Sequence, residues 1–188
     1  MSLSLSDCSD GELAALALAG RQAAYRELLA RHREAVFRLV RATIGDATEA
    51  IDVTQEAFIS AFAALRRYDP DRPFVAWLKR IALNKCRDWA RRRSVRRFFS
   101  FALPIEAAQT VSDDSIPADQ QLADRVELAR VREGIARLPP AIREPLILRT
   151  IEGLTQSETA EILGISEKAV ETRIYRARRA LQADVALK

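Results

Sequence analysis

Residues 156–175 read QSETAEILGISEKAVETRIY, and their spacing decides the fold of the second half of the chain. Ala160 is small where two helices must cross closely. Gly164 supplies a left-handed turn, and Val170 and Ile174 stand one turn apart on the inner side of the helix that follows. This combination predicts a helix-turn-helix. Thr155-x-x-Glu158 has the spacing of a capping box for the first helix, and Ser166 stands where the second needs its cap. Lys168, Glu171, Thr172, Arg173 and Arg176 are left on the outer side, where a recognition helix meets base edges and phosphates in a major groove. The plainer alternative is an αα-hairpin with a charged outer face.

Working outward, a stripe of Leu122, Val126, Ala129, Ile135 and Leu138 predicts a helix that ends at Pro139-Pro140. A second helix runs through Leu146, Ile147 and Thr150 and stops near Gly153. The first half reads as four helices. Ser9-x-x-Glu12 caps one that Gly20 can end, and Tyr25, Leu28, Leu29, Val36, Leu39, Val40 and Ile44 line another that stops at Gly45. Asp46-x-x-Glu49 opens a third, with Ile51, Phe58, Phe62 and Leu65 turned inward. Pro73 introduces the fourth, which carries Phe74, Trp77, Leu78, Ile81 and Trp89 into Arg91-Arg92-Arg93. Residues 98–118 lose periodicity and hold Pro104, Pro117, Asp113 and Asp114. The expected organisation is all-α: a helical domain over 1–97, an irregular acidic linker over 98–118 and a helix-turn-helix domain over 119–188.

The charge is unevenly spread. The chain of 188 residues has 30 Lys+Arg against 26 Asp+Glu, a formal net charge of +4. Residues 66–97 nevertheless hold 12 basic and 3 acidic groups, while 98–124 hold no basic group and 5 acidic ones. Residues 168–188 are basic again, with 6 against 2. Two basic blocks separated by an acidic stretch point to two contacts with one polyanion.

Other classes are poorly served. One histidine, His32, and two distant cysteines, Cys8 and Cys86, offer neither a metal site nor a disulfide framework. No nucleophile–base pair or glycine-rich phosphate loop is visible, so no catalytic residue, metal or cofactor is expected. No run reaches the roughly 18 apolar residues that a membrane span needs, and residues 1–10 lack the pattern of a signal peptide. The expected location is the cytoplasm. His32 reads as a surface or packing residue, Cys8 as part of a frayed tail, and Trp77 as core.

The second half closely resembles the fourth conserved region of bacterial sigma factors of the extracytoplasmic-function (ECF) class. The residues that carry this are Leu138-Pro139-Pro140, Arg143, Glu152-Gly153-Leu154-Thr155, Glu158, Ala160, Leu163-Gly164, Ser166, Val170 and Arg173-Ile174-x-Arg176-Ala177-Arg178. The first half agrees independently. Asp52-Val53-Thr54-Gln55-Glu56-Ala57-Phe58 looks like the family's polymerase-binding helix. Phe74-x-x-Trp77-Leu78-x-x-Ile81-Ala82-x-Asn84-x-x-x-Asp88-x-x-Arg91-Arg92-Arg93 looks like its promoter-melting helix.

The resemblance implies roles for each stretch. Asp52, Gln55 and Glu56 would bind a coiled coil of core RNA polymerase. Arg80, Asn84, Arg87 and Arg91 share one side of a helix and would recognise the minus-ten element as single strand, with the loop Arg66 to Arg72 holding a flipped base. Lys168, Glu171, Thr172, Arg173 and Arg176 would meet the minus-thirty-five duplex. Glu171 departs from the basic residue that some relatives carry. The implied partners are core polymerase, promoter DNA and an anti-sigma factor. The competing reading is a conventional helix-turn-helix regulator with an N-terminal sensing domain.

Overall fold

The computed structural model describes residues 4–100 and 119–186, with side chains described over 4–96 and 128–183. Eight α-helices account for nearly all of them: α1 (Asp10–Leu18), α2 (Gln22–Ile44), α3 (Ala47–Ala63), α4 (Phe74–Ser100), α5 (Asp119–Arg137), α6 (Pro140–Thr150), α7 (Gln156–Leu163) and α8 (Glu167–Ala186). No strand occurs among the described residues. Most of the expected linker, 101–118, lies outside them, as do the side chains of Leu122 and Val126. Helix α4 runs three residues into the expected linker, because nothing from Phe74 to Ser100 is a glycine or proline that would stop it.

Local chemistry sets the helix ends. Ser9 and Glu12 form a complete capping box on α1, and Thr155 and Glu158 form another on α7. Asp46 caps α3 by accepting from Thr48 N and Glu49 N, but the Glu49 carboxylate does not close a box there. It accepts instead from the Trp89 indole at 2.7 Å. Gly164 ends α7 at φ 65°, ψ 40°, and its neighbour Ile165 donates its N–H to Ala160 O at 3.1 Å. A Cβ at Gly164 would meet nothing within 4 Å, so glycine is needed for the left-handed backbone and not for space. At Gly45, with φ 76°, both demands apply: a Cβ there would stand 3.0 Å from Ala136 Cβ of α5.

Two cores result. The first is held by α1–α4, with Leu13, Leu28, Val36, Val40, Val53, Phe58, Phe74, Leu78, Cys86 and Trp89 buried together. The second joins Ile135, Leu138, Leu146, Ile147, Leu148, Ile162 and Ala177 of α5–α8 with Leu39 of α2 and Leu83 of α4. Those two leucines are 0% and 1% exposed, and each contributes about 1.5–3 kcal/mol of burial to a surface shared by both halves. The helices after the linker are thus packed directly against α2 and α4.

Some expectations change. Ile51 was expected to face inward but is half exposed, because the cleft between α2 and α3 stays open beside it. The segment around Cys8 was expected to fray. It is instead fastened to α2 by Arg31, whose guanidinium donates to Cys8 O (2.7 Å), Ser6 O (2.8 Å) and Leu5 O (3.0 Å). His32 is a packing residue: Nε2 lies 2.8 Å from Asp10 Oδ2, and the ring sits 5.4 Å from that of Phe74. Cys86 is fully buried, which pushes its thiol pKa up to about 12.

Candidate nucleic-acid interface

Three faces gather the candidate residues. The first lies on α3, where Asp52 and Gln55 are exposed and Glu56 is half-buried. Glu56 is engaged with Arg92 of α4 at 2.9 Å, which raises the arginine's pKa through that hydrogen bond. Beside these residues runs a groove of about 670 Å³ between α2 and α3, lined by Leu29, Phe37, Ile51, Phe58, Ile59 and Phe62 together with Gln55. Ile51 is 50% exposed and Ile59 is 69% exposed. The sequence reading missed this groove. Its signal was that Ile59 lies off the buried stripe of an otherwise amphipathic helix.

The second face is the side of α4 that carries Arg80, Asn84, Arg87 and Arg91. All four are exposed or partly so, and Asn84 Oδ1 accepts from Arg87 Nη1 at 3.0 Å. Arg91 pairs with Asp88 one turn back. Arg80 and Arg87, though exposed, are also engaged by the second half of the chain. Arg87 donates from Nε to Glu144 Oε1 of α6 at 2.7 Å and from Nη2 to Oε2, and this raises its pKa. Arg80 Nε donates to Ile162 O at 2.9 Å, and its Nη2 donates to Glu161 O, both in the last turn of α7. The neighbouring Lys79 forms a buried ion pair with Glu152 at 2.8 Å.

In the loop before α4, Tyr68 donates its hydroxyl to Arg72 O at 2.7 Å, closing the basic turn from Arg66 to Arg72. Trp77 is partly buried against Phe74 and Tyr68, and Trp89 is 7% exposed.

The third face belongs to α8. Val170 and Ala177 are fully buried, whereas Lys168, Glu171, Thr172 and Arg176 are exposed and Arg173 is partly so. The structure therefore gathers all five predicted residues on one accessible side. Lys168 Nζ is paired with Glu171 at 2.8 Å, which raises the lysine's pKa, and Thr172 Oγ1 donates to Lys168 O at 2.9 Å. Gln156 of α7 donates to Glu167 O at 3.0 Å, bracing the two helices of the motif across their turn.

The halves of this arrangement match known families in the same order. Residues 28–96 match Sigma-70 region 2, and residues 128–181 match Sigma-70, region 4. RNA polymerase sigma factor CnrH of Cupriavidus metallidurans is 45% identical over 178 residues, which cover 93% of each chain. The ECF RNA polymerase sigma factor SigW of Bacillus subtilis is 32% identical, over 87% of this chain and 89% of its own. The chain belongs to the ECF RNA polymerase sigma factors. A solved structure of CnrH in complex with the cytosolic domain of CnrY superimposes with a TM-score of 0.66 at 38% identity, over 95% of this sigma factor and 98% of that chain. Sigma factors direct RNA polymerase to promoters, and the two matched regions coincide with the two groups of faces described above. No helix among the described residues of this sigma factor is long and apolar enough to cross a membrane.

Proposed function

We propose that this sigma factor docks on core polymerase through α3, reads a melted minus-ten strand with α4 and contacts the minus-thirty-five duplex with α8. The observation that carries the reading is the division of α8: Val170 and Ala177 are sealed inside, and Lys168, Thr172 and Arg176 stand outside on a helix fixed by the Gly164 turn. That is the arrangement in which a recognition helix enters a major groove.

On α3, Asp52 and Gln55 offer an acceptor and an amide beside the apolar groove. A partner helix with arginines flanking an apolar stripe fits such a seam, its arginines pairing with the carboxylates and its stripe covering Ile51 and Ile59. On α4, Asn84 presents an amide to an unstacked base edge while Arg80, Arg87 and Arg91 neutralise flanking phosphates. The chain acts as a dissociable, non-catalytic subunit in the cytoplasm, under the control of an anti-sigma factor that covers these faces. The similar CnrH structure, solved with a piece of CnrY, supports the existence of such a partner.

The test is reconstitution. Core polymerase supplied with the purified chain should initiate from a small subset of a promoter library, and replacing Asp52, Gln55 and Glu56 together by alanine should weaken competition for core without unfolding the chain. A library transcribed without preference, or a triple variant that competes equally, overturns the assignment. Nanomolar promoter binding by the chain alone would instead mark a conventional helix-turn-helix regulator.

A further inference from the structure

A cleft of about 1000 Å³ opens between the end of α2, the later turns of α4 and one side of α5. None of the residues assigned above to polymerase or DNA contact lines it. Four arginines do: Arg93 of α4, Arg132 and Arg137 of α5, and Arg143 of α6. Two carboxylates stand against them, Asp46 and Glu133, which leaves an excess of two positive charges. Both carboxylates are already engaged. Asp46 Oδ1 accepts from Thr48 N and Glu49 N at the start of α3, and Glu133 is held by Arg137 at 2.7 Å.

Arg143 distinguishes this cleft from a merely basic surface. It is 7% exposed, and its Nη1 donates to Ala136 O at 2.6 Å, yet Nε is buried with no hydrogen-bond partner. Its sequence neighbour Glu144 gives both carboxylate oxygens to Arg87. Burial pushes the Arg143 pKa down, but a guanidinium keeps its proton even so. A buried cation with an open donor is unfavourable unless an acceptor reaches it. At the exposed rim, Arg93 lies over the Trp89 ring at 4.9 Å, a stacking that holds its fork in place. Arg132, also exposed, has no carboxylate partner among the described residues.

We propose that this cleft binds a small phosphomonoester, with its phosphate between Arg143 below and Arg93 and Arg132 above. A phosphomonoester matches the charge, since it carries close to two negative charges at neutral pH. Its three terminal oxygens can meet several guanidiniums at once, which a single carboxylate cannot. The space far exceeds one phosphate and lies within the range of cofactor and metabolite sites. Ile44, Ala90 and Ala129 form an apolar wall that the organic part of the ligand would cover. The proposal is independent of the roles given to α3, α4 and α8.

The experiment titrates the full chain by calorimetry at near-physiological salt, with adenosine 5′-monophosphate as the probe. One site per chain is expected, and adenosine, which lacks the phosphate, should not bind. Inorganic phosphate should bind more weakly than the nucleotide, because it leaves the apolar wall bare. Arg143→Met should weaken nucleotide binding roughly tenfold or more, the loss expected for one charged hydrogen-bonding partner. Arg93→Gln with Arg132→Gln should do the same at unchanged helix content; both positions are exposed, so this pair decides the matter if Arg143→Met fails to fold. Arg21→Met, which removes an exposed arginine outside the cleft, should leave binding as it was. In nitrogen-15 spectra of the labelled chain, the Arg143 Nε–H signal should move during the titration.

No binding of the nucleotide overturns the proposal, as does adenosine binding equally well. Inorganic phosphate binding at least as tightly would assign the cleft to the free anion and overturn the ester. Equal losses in Arg21→Met and in the cleft variants would reduce the binding to diffuse attraction by a basic chain, which also overturns it.

Discussion

Trp89 donates its indole N–H to the Glu49 carboxylate at 2.7 Å, tying the basic helix α4 to the first turn of α3. Glu49 is thereby drawn out of the capping box that its spacing from Asp46 suggests. A hydrogen bond to a charged acceptor is worth about 1.5–3 kcal/mol when buried, and Glu49 retains some access to water. Trp89→Phe should therefore lower stability by about 1–2 kcal/mol, read from the midpoint of urea denaturation. An unchanged midpoint would show that water replaces the indole at no loss.

The exposed side of α8 separates anchors from specifiers. Arg176→Ala should weaken holoenzyme binding to all promoter sequences alike and reduce the salt slope by about 1. Glu171→Ala should do something different, because Glu171 holds Lys168 at 2.8 Å. Freeing that ammonium should raise affinity across sequences while relaxing preference at one base pair, where the carboxylate would have accepted from cytosine N4. Affinity measured across a promoter library at two salt concentrations distinguishes the two patterns.

The capping box at Thr155 makes the helix-turn-helix sensitive to acid. Hydrogen bonds from the Thr155 hydroxyl and backbone hold the Glu158 carboxyl below its ordinary pKa. A carboxyl with a lowered folded-state pKa stabilises the fold above its unfolded pKa and loses that contribution as pH falls through the folded value. Thr155→Ala should cost about 1 kcal/mol at neutral pH, and the gap from wild type should narrow as the solution is taken below the ordinary carboxylate range. Thermal melts across pH 3 to 7 check this; a gap that is constant with pH would mean that Glu158 contributes nothing through its charge.

The two thiols should behave differently. Cys86 is fully buried with its pKa near 12, so almost none is thiolate at neutral pH, whereas Cys8 is partly exposed. Ellman's reagent should titrate one thiol in the native chain and two in urea. Rapid reaction of both in the native state would place Cys86 nearer the surface than its burial in the core of α1–α4 allows.

Local signals explain what the sequence made legible. The boxes at Ser9 and Thr155 and the left-handed glycines at 45 and 164 act within four or five residues, so their spacing is enough to place them. The outward side of α8 was legible for the same reason, since the inner pair Val170 and Ile174, buried and partly buried, fixes the rotation of the helix. Ile51 was misplaced because it does share a face with Phe58 and Phe62, but burial depends on whether a neighbour covers that face, and α2 leaves the cleft open there. The engagement of Arg80 and Arg87 was not legible at all. Their partners lie 57 to 82 residues away, and charge patterning shows that a guanidinium needs an acceptor without showing which one.

Gly45 has a consequence of another kind. Its positive φ would strain an alanine by itself, a local penalty that depends on no neighbour. The crowding of the new methyl against Ala136 is a second and separate penalty, because it arises only through the contact with α5. One hydrogen replaced by one carbon therefore acts as a wedge between the end of α2 and α5, without altering a single charge.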